Sequence, residues 1–123
     1  MKKQPLSKLT VAQLADRFAE LGLEQYEAHE EDDIPRVNRL YRKMDAIDEE
    51  LRARGREARL ALVALFDHPN VQVRMQAARF AFALAPEAAR KCLQAIGDSG
   101  MPPQYLYARL ALQFIDDGTA KLT

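Results

Sequence analysis

The chain has 123 residues, enough for one domain with a core that needs no staples. Apolar residues make up 48% and aromatics 7%, with five Gly and no Trp; this excludes the turn-rich, aromatic text of a β-sandwich or barrel. Basic and acidic residues balance at 18 each, which removes the cationic excess of a dedicated nucleic-acid binder, and the single Cys92 rules out an internal disulfide.

Six helical segments are predicted in chain order. Met1-Lys2-Lys3-Gln4-Pro5 is charged but has no apolar run behind it. Ser7 or Thr10 caps a first helix running to about Glu31, with Val11, Leu14, Phe18 and Leu21 on one stripe. Asp32-Asp33 before Ile34-Pro35 starts a second helix, whose stripe is Val37, Leu40, Tyr41, Met44, Ile47 and Leu51. Gly55 stops it. The third segment, about Arg56 to Phe66, is apolar on more than one side, and Asp67-His68-Pro69-Asn70 is a tight turn. The fourth runs from Val71 to about Ala85, with only Gln72, Gln76 and Arg79 as a polar line. Such a helix is packed on two or three sides. Pro86 opens the fifth, with Ala89, Leu93 and Ile96 facing inward; the sixth carries Leu106, Leu110, Ala111, Phe114 and Ile115 and ends near Asp117-Gly118. No segment alternates with period two, so no strands are expected. No stretch approaches the roughly 20 apolar residues of a membrane span. With the lone cysteine, this gives a cytoplasmic expectation.

The second half repeats itself. At an offset of 31 residues, Asp67 matches Asp98, Ala58 matches Ala89, Leu62 matches Leu93 and Ala77 matches Ala108. Each unit reads as apolar helix, Asp-containing turn, Ala-rich helix, and such a unit must stack on a neighbour to cover its apolar side. The stretch Asp67-His68-Pro69-Asn70-Val71-Gln72-Val73-Arg74-Met75-Gln76-Ala77-Ala78 resembles the HEAT-repeat signature. That resemblance implies an all-α superhelix of about six helices in three antiparallel pairs. Residues 1–55 would form a charged N-terminal pair and residues 56–123 two HEAT-like units of a single domain. It also implies that Val73 and Ala77 pack inward and that Arg74 reaches a turn aspartate, Asp67 or Asp98. The last unit departs from the signature, with Gln104-Tyr105 in place of Val-Arg. The whole chain resembles a group of short, uncharacterised bacterial HEAT-like proteins, through Asp32-Asp33, Val37-Asn38-Arg39-Leu40, the Met44 to Leu51 helix and the Asp67 turn.

Chemistry finds little purchase. His29 sits among Glu27, Glu30, Glu31, Asp32 and Asp33, but neither a shaped oxygen loop nor zinc spacing is present. His68 helps close its turn. Cys92 occupies an inward position and reads as a small core residue. Asp48 and Glu49 are read as exposed carboxylates, with Arg52 as partner; Glu50 to Arg54 is another favourable four-residue step. No phosphate loop, His-Glu zinc helix or nucleophile elbow occurs. No catalytic residue, cofactor or metal is therefore expected.

Arg36, Arg39, Arg42 and Lys43, and again Arg52, Arg54, Arg56 and Arg59, form basic stretches broken by acids. They read as a solvated face or as a striped, partner-selecting surface. If helices two, four and six line one side, Arg39, Gln72, Gln76, Arg79, Tyr105, Arg109 and Gln113 share a concave face suited to a protein partner. The expected function is a non-enzymatic protein–protein interaction module. Its narrowest form, conceivable from the resemblance, is an immunity partner that neutralises a toxin. The alternative is a nucleic-acid binder using an Arg-lined concave face, and a third reading is self-association through apolar edges.

Overall fold

The structure, a computed structural model, describes residues 5–123. The charged start read at Met1 to Gln4 lies outside the described residues. The fold is all-α: among the described residues there are six α-helices, three 3-10 helices and no strand. These segments fall into two compact units, divided between Ala61 and Leu62.

The first unit is a long hairpin. Helix α1 (Val11–Glu30) begins with a full capping box, Thr10 accepting from the Gln13 amide while Gln13 accepts from the Thr10 amide. Its other end is a Schellman closure. Asp32 takes a left-handed φ of 54°. The Asp32 amide donates to His29 and the Asp33 amide to Ala28, each across the helix end. Asp33 then caps helix α2 (Ile34–Arg54) by accepting from the Arg36 amide at 3.2 Å. The acidic pair thus ends one helix and starts the next. Leu14, Phe18 and Leu21 pack against Leu40, Met44, Ile47 and Leu51, all buried. Tyr41 lies at the exposed edge of its stripe and Asp48 is buried rather than exposed. Gln25, also buried, donates to the Val37 carbonyl and stitches the helices together.

The third segment covers the expected stretch but is wound more tightly. Only α3 (Arg56–Arg59) is α-helical; Leu60–Asp67 winds as a 3-10 helix. Its run of Leu, Ala, Val and Phe lacks a single apolar face, and the tighter winding buries Leu62 and Phe66 while Leu60 stays exposed.

In the second unit, Asn70 caps helix α4 (Val71–Phe80) by accepting from the Gln72 and Val73 amides. Helix α4 stops five residues before the expected Ala85. The residue before Pro86 is held extended (Ala85, φ −147°), and Phe82–Leu84 turns as a 3-10 helix instead. Helix α5 (Pro86–Ser99) buries Ala89, Leu93 and Ile96 as expected. Helix α6 (Gln104–Asp116) packs along α5, and α4 lies against both. No helix among the described residues is long and apolar enough to cross a membrane.

Candidate functional site

Helix α6 turns only part of its apolar surface inward. Gln104 and Ala108 are buried. Leu106, Tyr107, Leu110 and Phe114 are 50%, 40%, 44% and 42% exposed. Steps of three and four residues bring these four onto one stripe. Gln113, also exposed, lies at the stripe's edge by the same spacing. One exposed leucine is ordinary, but a contiguous apolar row over more than two helical turns is a feature of binding surfaces.

The residues expected to share a concave face separate into three groups. Gln72 and Gln76 are 1% and 3% exposed, so they are interior residues and not outward ones. The polar line on α4 faces neighbouring polar groups: Gln104 Nε2 donates to Gln72 Oε1 at 3.0 Å, and Arg79 Nη1 donates to Gln76 Oε1 at 3.0 Å. Burial of an amide is tolerated when it is bonded in this way. In the sequence Gln104 stands out only as a departure from the repeat signature, in the place that Val73 holds one unit earlier, and at that inward position it is buried. Tyr105 and Arg109 form a second group on α6. The Arg109 guanidinium lies 5.3 Å from the Tyr105 ring centroid and donates through Nε to the Gly97 carbonyl at 2.9 Å. A Cβ on Gly97 would sit 3.1 Å from Arg109 Cγ, so glycine there lets the arginine lie flat on α5. Arg39 is an exposed residue of α2 in the other unit.

Of the repeat-motif residues, Val73 and Ala77 are fully buried, as expected. Asp67 and Asp98 are exposed. Arg74 instead donates through Nη1 to the carbonyls of His68 and Pro69, both at 2.9 Å. It closes its own turn, whose carbonyls have no helical partner. His68 Nδ1 accepts from the Asn70 amide at 3.0 Å, which fixes the ring as a turn brace.

Three arginines of the charged stretches in the first unit are ion-paired. Arg36 lies within 3.8 Å of Glu24, Glu27 and Glu31, Arg52 bonds Asp48 at 2.7 Å, and Arg54 bonds Glu50 at 2.9 Å. Asp48 Oδ1 has no hydrogen-bond partner, so this carboxylate is half satisfied. Burial pulls His29 below the ordinary imidazole range, partly offset by Asp32. Burial likewise pushes the Cys92 thiol up, with Arg74 opposing and Asp67 adding to the shift. Among the described residues no group of three or more His, Cys, Asp or Glu is placed to hold a metal ion.

The family model described as Domain of unknown function (DUF2019) matches residues 12–116. The chain belongs to the DUF2019 family. A solved structure similar to this chain is described as the crystal structure of the protein RPA1889 from Rhodopseudomonas palustris CGA009. It is 42% identical, with a TM-score of 0.90 over 98% of this chain and 100% of that one. No curated protein matches the chain. The DUF2019 match spans both units, from the second residue of α1 to the last of α6, and so includes the exposed α6 stripe.

Proposed function

We propose that this DUF2019 protein is a non-enzymatic interaction module that binds a protein partner through the outer face of α6. The observation that carries the reading is the partly exposed apolar row Leu106, Leu110 and Phe114, with Tyr107 beside it. An apolar stripe one helix wide suits a partner that lays an apolar ridge or helix along it. Gln113 and Asp117 lie at its edge and would give a polar rim. The HEAT-like reading of the α-hairpins and the cytoplasmic setting belong to the same proposal. Neutralisation of a toxin is its narrowest form and rests on the resemblance to small helical-repeat proteins alone.

The nucleic-acid alternative has less support. Arg36 is surrounded by three glutamates, Arg79 is bonded to Gln76 and Arg109 to Gly97, so each is engaged within the protein. A phosphate backbone would have to displace those contacts.

The test is site-specific photo-crosslinking in the cell of origin, with the crosslinker at Tyr107 and, as a control, at Glu49 on α2. The expected result is a discrete adduct with another protein from Tyr107 that disappears with Leu110→Asp. Adducts of equal yield from both positions, or adducts with a second copy of this chain alone, would overturn the reading.

A further inference from the structure

A cleft of about 510 Å³ opens in the second unit, on the side of the Asp67 turn. Its walls are mixed: Phe66, Val71 and Ile96 are among the apolar residues, Ser99 is polar, and the charged groups are Arg74, Lys91 and Asp67. Cys92 lines it as well. The volume lies within the range that holds small organic ligands. Two cations against one carboxylate leave the lining with a net positive charge. One guanidinium nitrogen of Arg74 is committed to the His68 and Pro69 carbonyls, which holds the arginine in place. Lys91 is exposed and reaches the cleft from α5.

We infer that this cleft binds a small amphipathic monoanion, a carboxylate with an aliphatic or aromatic body. Its head sits with Lys91 and Arg74 and its body lies against Phe66, Val71 and Ile96. This inference is independent of the partner surface on α6.

The cleft carries its own reporter. Cys92 is the one cysteine of the chain, and its thiol lies 3.7 Å from both the Phe66 and Arg74 carbonyls. An occupant of the cleft therefore shields the thiol from alkylation. The experiment titrates the full chain with octanoate and with octanol, which has the same body and no charge. It follows backbone amide resonances and the rate of Cys92 alkylation by iodoacetamide. The expected result is saturable octanoate binding in the millimolar range or tighter. It moves the amides of Val71, Arg74 and Ile96 and slows alkylation by a factor of about three or more, the occupancy expected well above the dissociation constant. Lys91→Glu, a substitution at an exposed position, weakens octanoate about tenfold and leaves octanol unchanged. If octanoate moves none of these amides at millimolar concentration, the inference fails. It fails equally if octanol binds as well as octanoate, or if Lys91→Glu leaves octanoate affinity intact.

Discussion

The two units use similar helices for opposite surfaces. In the first, α1 and α2 are 20 and 21 residues long, each with a narrow apolar stripe and a charged exterior in which Arg36, Arg52 and Arg54 are ion-paired. In the second, α4, α5 and α6 are 10, 14 and 13 residues long. Amides line the interior there, and leucine, tyrosine and phenylalanine stand outside. A charge that is already paired has little left to offer a partner, because exposed ion pairs contribute little and salt screens them. A helix with an uncovered apolar row still has free energy to gain on being covered. On the proposed reading, this contrast is why partner binding is assigned to the second unit.

Substitutions can break or sharpen this contrast. The largest effect is expected in the core of the first unit. Phe18→Ala removes a fully buried ring and should cost about 3–5 kcal/mol by urea denaturation. The exposed Leu110→Ser should change stability by no more than about 0.5–1 kcal/mol. If Leu110→Ser costs as much as Phe18→Ala, the α6 row is structural and not a free surface. Next come the interior amides. Gln104→Leu removes the donor to buried Gln72 and should cost about 1–3 kcal/mol, while the double change with Gln72→Leu should recover part of it. A double variant whose cost equals the sum of the two single changes would show that these amides have no mutual dependence.

A smaller gain is expected at the turn of the first unit. Asp32→Gly relieves a left-handed residue and should add about 0.5–1 kcal/mol, read as a raised urea midpoint. The smallest effect is a pH dependence. His29 is held below the ordinary imidazole range chiefly by burial, so the unfolded chain takes up its proton first. Its contribution is therefore complete at high pH. Loss begins as pH falls through the unfolded imidazole's pKa and levels off below the folded one. Between about pH 7 and about pH 5, His29→Gln should show a flatter stability profile than the parent chain.

Local signals in the sequence were strong where the chain makes its own caps. Thr10 with Gln13, Asp33 before Pro35, Gly55, Asn70 and Pro86 all mark helix ends within a residue or two of where they fall. The stripes of α1 and α5 were legible because each has one packed side. The third segment was not, since Leu60 to Phe66 is apolar all round and periodicity does not choose between α and 3-10 winding. Gln72 and Gln76 misled for a related reason. A polar line on an apolar helix looks like a solvent face until a second amide, Gln104, arrives from a helix some thirty residues on. Helix α6 misled in reverse. Ala108 and Ile115 supply one apolar side and Leu106, Leu110 and Phe114 another, and only tertiary packing decides which is covered.

The Asp32-Asp33 connection carries one further consequence. Because the same two residues close α1 and open α2, the link has no slack to give up. An extra residue there would undo both helix ends together, so affinity tags, new chain ends or protease sites placed at this bend should be poorly tolerated. The stretch after Gly118, which ties back through the Ala120 amide to Phe114, is the better place to splice.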